Sequence, residues 1–499
     1  MRSVSGGDGH PESGTPAIPG APGEPGHTRR SAVVIGGGIA GLTSALVLAD
    51  AGMRVTLVEA RPRLGGLAFS FRRTGAAGEL TVDNGQHVFL RCCTAYRWFL
   101  DRVDGTRLAP LQDRLDVPVL DARGGRLGRL HRTALPVPLH LAAGLARYPH
   151  LSLAERARVA RAALALKKLD PADPALDGTD FATWLRRHGQ SERAVEALWD
   201  LVGVATLNAR AQDASLGLAA MVFKTGLLSE AGAADIGWAR VPLGHLHDTL
   251  ARAALDKAEV RTVLQGRAQL VGRAADRGWL VDITTGAKGT GAEQLHADTV
   301  VLAVPQAEAR GLLPDGALDE PDQLLSIGTS PILNVHVVYD RTVLDRPFLA
   351  ALGTPVQWVF DRTHASGLGG GGQYVALSQS AVHDEIDTPV ATLRERYLPE
   401  LARLLPAARN AQVRDFFVTR ERTATFAPTP GVGRLRPGTR TRAPGLFLAG
   451  AWTDTGWPAT MEGAVRSGVT AAGAALSELG LRHVTPLPAF GVGSTKEAA

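Results

Sequence analysis

Gly36, Gly38 and Gly41 stand at G-x-G-x-x-G spacing directly after an apolar run, Ala32 to Ile35. The next apolar run, Arg54 to Val58, ends in an acid, Glu59. A glycine at the first position permits a tight turn. The second lets backbone N–H groups approach a phosphate with no Cβ between, and the third lets a helix pack close on its strand. The N–H groups that open such a helix carry partial positive charge suited to a pyrophosphate. Glu59 stands where a carboxylate accepts both hydroxyls of an adenosine ribose and repels a 2′-phosphate. These residue types in this order spell a dinucleotide site, with NADP disfavoured.

Such residues need a scaffold. Ala32–Ile35 reads as a buried parallel strand. A helix follows with Leu42, Ala45, Leu46 and Ala49 on its inner face, and residues 54–58 form the next strand. A second glycine turn, Arg63-Leu64-Gly65-Gly66, comes after Glu59. FSFRR and LTVDNGQHVFL then read as strands, with Asp83-Asn84-Gly85-Gln86-His87 a polar loop between apolar ends. From about 106 to 234 the pattern changes to short strands around Val117 to Leu130, then helices rich in Ala and Leu. Ser152 and Glu155 make a capping box for one that reaches about Lys168. Near 235 the first pattern resumes and leads to a buried strand, Thr299 to Val304. Residues 326–415 read as strands plus a helix, Thr392 to Leu405. The strand Leu446 to Ala449 leads through a polar loop to a helix starting near Thr460.

The expected fold class is α/β. A Rossmann-like FAD/NAD(P)-binding domain is assembled from residues 31–105, 235–325 and 416–480. A mixed α+β substrate domain is inserted as 106–234 and 326–415. Residues 1–30 read as a disordered tail and 481–499 as a flexible C-terminal tail.

Composition narrows the function classes. The 499 residues suffice for two or three cores, and 45% hydrophobic content is ordinary. The net charge of +5 is carried almost wholly by arginine, with no block of like charge to mark a nucleic-acid surface. The two cysteines, Cys92 and Cys93, are adjacent, so they build neither a disulfide framework nor a four-ligand zinc site and fit a reducing cytoplasm. No apolar stretch reaches the roughly 18 residues of a membrane span, and no secretory signal opens the chain. No Ser/His/Asp order, metal-ligand spacing or P-loop supports a hydrolase, metalloenzyme or kinase.

Four stretches stand in order over nearly the whole chain: VVIGGGIAGLTSALVLADAGMRVTLVEARPRLGG, VDNGQHVFL, ADTVVLAVP and LFLAGAWTDTGWPATMEGAVRSG. Together they resemble the FAD-dependent amine oxidase and phytoene desaturase superfamily. Within it, DNGQHV and TGWPATMEGAVRSG resemble the bacterial hydroxysqualene dehydroxylases, the squalene-associated flavoproteins of hopanoid and squalene biosynthesis. The resemblance implies FAD with its pyrophosphate at Gly36, Gly38 and Gly41 and its ribose at Glu59. Arg61, Arg63, Gly65 and Gly66 then lie on the adjoining turn. It also implies that Gly450, Asp454, Trp457 and Thr460 border the flavin, with the Met461 N–H aimed at the N1/O2 edge. Two positions depart from the pattern: Leu67 replaces a common arginine, and Ala451 replaces an acid that holds the ribityl chain, a task open to Asp454.

The implied reaction delivers hydride from reduced FAD to an allylic alcohol carbon as water departs, giving squalene. A departing hydroxide needs a proton donor, and His87 is the candidate. Asp83 either caps its loop or touches substrate. Two other functions stay open: a carotenoid or phytoene-type desaturase, and a non-catalytic flavin- and lipid-binding protein. The implied partners are a lipophilic isoprenoid, an electron donor the sequence does not identify, and an anionic membrane surface, with no nucleic acid. Residues 134–168 are the candidate membrane contact. Leu135, Val137, Leu139, Leu141 and Leu145 would be its anchors, and Arg156, Arg158, Arg161, Lys167 and Lys168 its headgroup contacts. The expected location is cytoplasmic, peripheral at the inner face of the cell membrane.

Overall fold

A computed structural model describes residues 29–274, 278–482 and 487. The expected N-terminal tail lies outside the described residues but for Arg29 and Arg30, and the C-terminal tail but for Leu481, Arg482 and Leu487. Strand β1 (Ser31–Ile35) is buried from Ala32 onward, as an apolar run flanked by parallel neighbours should be. It leads into helix α1 (Ile39–Asp50), buried along its whole length except at Asp50, and then into β2 (Arg54–Glu59). With β3 (Arg261–Leu264), β4 (Thr299–Leu302) and β5 (Leu446–Leu448) they form a sheet in the order β5-β4-β1-β2-β3, every pairing parallel. Three distant pieces of chain thus supply one sheet. An antiparallel meander (267–273, 279–285, 291–297) joins β3 to β4.

Helix α2 (Thr94–Arg102) packs on helix α3 (Met461–Glu478), which packs on this sheet and on α1. Helices α1 and α3 meet at backbone distance, because a Cβ on Gly468 would collide with the Ala40 carbonyl. Ser44 fastens the crossing by donating to Ala40 O at 3.0 Å, with Gly468 O at 3.1 Å.

The second sheet has seven strands, in the order Val413–Phe426, Thr329–Tyr339, Gln373–Ser380, Trp358–Asp361, Phe348–Leu352, Asp116–Asp121 and Arg126–His131. It is antiparallel except where Phe348–Leu352 lies parallel to Asp116–Asp121. Residues 116–131 and 329–426 therefore share a sheet. Its edge strand, Val413–Phe426, runs through position 416, so the chain turns back toward the first sheet only after Phe426. Helices between 142 and 228 complete this half around the buried rings of Phe181, Trp199 and Phe223.

Candidate functional site

At the carboxyl end of β1 the chain turns at Gly36 with φ +109°, a conformation that favours glycine. A Cβ there would collide with the Ala303 carbonyl, and one on Gly41 would collide with the Gly36 carbonyl. Gly38 is different. The nearest atom to a Cβ added there is Gly66 Cα at 3.7 Å, so the space beside it is open. The second glycine turn closes over the first: Gly65 N–H donates to Gly37 O at 2.9 Å. No side chain caps α1 at Gly38, which leaves its first N–H groups for a ligand. A narrow cradle lined by backbone donors and closed to side chains fits a pyrophosphate.

Glu59 is fixed at the rim of this cradle. Its Oε2 accepts from Gly37 N–H at 2.6 Å and its Oε1 from Arg61 N–H at 2.7 Å, with lone pairs left for hydroxyls. The Arg61 side chain is exposed. Arg63 instead supports the turn: its guanidinium lies 3.2 Å over the Phe69 ring and donates to Gly66 O at 2.9 Å. Burial pulls that guanidinium below the usual arginine range. Leu67, at the position that departs from the pattern, is 43% exposed.

The polar loop is the second part of the site. Buried Asp83 accepts from the Ser70 hydroxyl at 2.6 Å, from Leu243 N–H at 2.9 Å and from the Arg362 guanidinium at 2.5 Å. It therefore ties the hairpin 70–83 to the turn at 243 and to the second sheet. His87 Nδ1 lies 3.1 Å from Gly85 O. A carbonyl can only accept, so the proton sits on Nδ1 and Nε2 keeps its lone pair. Burial lowers the imidazole pKa, and Arg362 adds to the effect; the bond to Gly85 and the charge of Asp83 oppose it. His87 is therefore neutral at pH 7, with Nε2 an acceptor.

The loop after β5 is the third part. Gly450, at φ +145°, donates its N–H to Ser467 Oγ at 2.8 Å. Thr460 caps α3 by accepting Gly463 N–H at 3.1 Å, and Met461 is the first helical residue. Trp457 is buried, with the Arg466 guanidinium 5.1 Å from its ring centre. Asp454 is exposed and takes Gly456 N–H at 3.4 Å.

Two buried networks missed by sequence reasoning hold these parts in place. Arg436, 5% exposed, reaches the carbonyls of Ala451 and Trp452 at 3.3 Å, Thr453 at 2.5 Å and Trp457 at 2.9 Å, and Thr455 Oγ1 at 3.4 Å. Burial brings its pKa down to about 10, so it stays charged at pH 7. In the second network, Glu462 accepts Ala95 N–H at 3.1 Å, Tyr96 N–H at 2.7 Å and Arg466 Nε at 2.8 Å. The Tyr96 hydroxyl lies 2.9 Å from His247 Nε2, and His247 Nδ1–H donates to Ala68 O at 2.8 Å. Buried hydrogen bonds thus run from the start of α3 to the second glycine turn. The i,i+4 spacing of Glu462 and Arg466 was the sequence signal for this network. Arg436, one arginine among several in GRLRPGTR, carried none.

The family model of the flavin containing amine oxidoreductases matches residues 39–476. The chain is 30% identical over 450 residues to a hydroxysqualene dehydroxylase of Rhodopseudomonas palustris, covering 88% of this chain and 96% of that one. A protein of the same name from Sinorhizobium fredii is 29% identical over 459 residues, covering 89% and 98%. The zeta-carotene desaturase of Zea mays is 25% identical over 496 residues, covering 90% and 84%. Two solved structures share the fold. An oxidoreductase from Methanosarcina mazei has a TM-score of 0.68 at 15% identity, covering 88% of this chain and 98% of that one. The cyclohexylamine oxidase of Brevibacterium oxydans has a TM-score of 0.65 at 19% identity, covering 91% and 100%. With an α/β dinucleotide cradle and a family match across both sheets, the chain belongs to the flavin-containing amine oxidoreductases and is an FAD-dependent oxidoreductase.

Proposed function

We propose that the protein removes the hydroxyl of hydroxysqualene reductively, giving squalene. The observation that carries this reading is the 30% identity, along nearly the full length of both chains, to a protein named for that reaction. When bound and reduced, FAD supplies the hydride. The chain's own residues do the rest. The glycine cradle and Glu59 hold the ADP half, and Gly450, Trp457 and the start of α3 border the ring. His87 Nε2 accepts a hydrogen bond from the substrate hydroxyl and orients it. It becomes the donor to the departing oxygen only after taking up a proton itself. We assign the seven-stranded sheet and the helices of 142–228 to substrate, and the parallel sheet with α1, α2 and α3 to FAD.

The desaturase reading draws on the match to zeta-carotene desaturases, at lower identity. Anaerobic incubation of the prereduced protein with hydroxysqualene, read by mass spectrometry, decides between the readings: squalene must appear as flavin reoxidises. Conversion of zeta-carotene or phytoene instead, with oxidised flavin, would favour the desaturase. No turnover of either would leave a lipid-binding flavoprotein.

A squalene-like substrate dissolves in lipid, so we place a lipid-facing surface on residues 134–168. No helix among the described residues is long and apolar enough to cross a membrane. Leu135 and Leu139 are 50% and 54% exposed, whereas Leu141 and Leu145 pack on the core. The helix Leu153–Lys167 buries Val159, Ala162 and Leu166 and turns Leu153 and Leu164 outward with Arg158, Arg161 and Lys167. Arg156 does not join them, because its guanidinium donates to the carbonyls of Leu151 and Ala146.

A further inference from the structure

Arg436 is a buried guanidinium whose five contacts are four backbone carbonyls and one hydroxyl. Among the described residues no carboxylate pairs with it; Asp454 and Asp177 act on it only through space. Asp177 spends its oxygens on Ser215 Oγ and Gly433 N–H, both 2.9 Å away, and Asp454 is exposed. A buried cation without a counter-ion is expensive to keep, and a neutral side chain of similar length would fill the same space at lower cost. The ring face of Phe426, 4.5 Å from the guanidinium carbon, eases that cost without cancelling the charge.

The location of that charge is informative. The segment it clasps, 451–457, leaves β5 and ends just before Thr460, the cap of α3. Helix α3 has 18 residues, and its positive end opens into the same loop. Two positive features therefore converge on the segment that borders the flavin ring in the proposed function, on which this inference rests. The pyrophosphate cradle, at the end of β1, accounts for neither.

We propose that Arg436 is a positioning residue for the flavin: it fixes loop 451–457 and places beside the ring a charge that favours the reduced, anionic flavin over the oxidised one. No substrate contact is needed for this role. It would show in the cofactor's redox equilibrium, which loss of packing alone would not move in a fixed direction.

The experiment is the midpoint potential of bound FAD, measured by anaerobic dye equilibration in the wild type, Arg436→Lys and Arg436→Met. Arg436→Met should weaken binding of reduced relative to oxidised FAD by about tenfold, close to 30 mV for a two-electron couple. Arg436→Lys keeps the charge but loses the fork, so its potential should stay near the wild-type value. Equal potentials in the wild type and Arg436→Met would overturn the inference, as would a shift in Arg436→Lys as large as in Arg436→Met. Should Arg436→Met lose its FAD, absorbance of the fully reduced wild type decides: the flavin should stay anionic from pH 8 down to pH 6, and protonation within that interval refutes the proposal. A wild type that retains no FAD would sink the flavin assignment itself, whereas a loaded protein indifferent to Arg436 would sink only this inference.

Discussion

At the scale of single residues, the three glycines of the first turn do separable jobs. Gly41→Ala forces a methyl group into the Gly36 carbonyl, so the variant should misfold or melt far below the wild type. Gly38→Ala meets nothing closer than Gly66 Cα at 3.7 Å, so the apoprotein should fold normally. Its methyl group enters the space proposed for the pyrophosphate, and FAD affinity should fall tenfold or more, about 1.4 kcal/mol. Thermal melts of the apoproteins beside flavin-fluorescence titrations check both. His87 offers a test by pH. Its lowered pKa leaves little imidazolium at pH 7, so a donor role requires kcat/KM to climb as pH falls from 8 toward 6. His87→Ala should flatten that climb and lower turnover by about 10²–10⁴-fold. A flat wild-type profile would leave His87 with orientation alone.

At the scale of elements, the helix Leu153–Lys167 has two working faces. Its inner face is ordinary core. Its outer face, together with the tip at Leu135 and Leu139, should bind vesicles containing anionic lipid and release them as salt rises. Each basic residue near such a surface contributes about 1 kcal/mol. Replacing Leu135, Leu139, Leu153 and Leu164 by Ser should abolish co-sedimentation while leaving the melting temperature nearly unchanged. Leu141→Ser should do the reverse, since that side chain packs on the core. Sequence reasoning did not separate the outward leucines from the buried ones, because a short irregular stretch (134–146) has no period to reveal its buried side. The capping box at Ser152 and Glu155 and the cap at Thr460 were legible, since each is written within four residues. The partners of Arg436, Glu462 and His247 were not: most are main-chain groups brought near by tertiary folding, and these leave no mark on side-chain spacing.

At the scale of the molecule, buried polar links such as Tyr96–His247–Ala68 make the fold sensitive to acid. His247, fully buried between Tyr96 and Ala68, has its pKa pushed down to about 4 by burial. The unfolded chain, with imidazole near 6.5, binds the proton more readily. The stability due to neutral His247 is therefore complete above pH 6.5 and is lost as pH falls toward 4, about 3 kcal/mol over that range. His247→Gln should shrink the difference between urea midpoints at pH 7 and pH 4.5; an unchanged difference would assign the acid sensitivity elsewhere. The apolar runs of the parallel sheet, such as Ala32 to Ile35 and Thr299 to Val304, were legible as strands because both their faces are covered. The bound drawn near 416 falls inside Val413–Phe426, one continuous strand whose course is set by pairing with Thr329–Tyr339.

The crossing of α1 and α3 joins residues separated by 424 positions, as the contact of Ser44 with Gly468 shows. During synthesis α1 emerges long before its covering partner, which follows 424 positions later along the chain. Until then, the apolar side of α1 that α3 will cover stays open to other chains, and the proposed flavin site lacks one wall. Contacts so distant along the chain form late and expose an unfinished intermediate to aggregation. Cofactor loading is accordingly expected only once α3 has been made, with FAD drawing the two helices together by mass action. Yield of soluble protein in a heterologous host should then follow the supply of riboflavin and of chaperones more closely than the strength of the promoter.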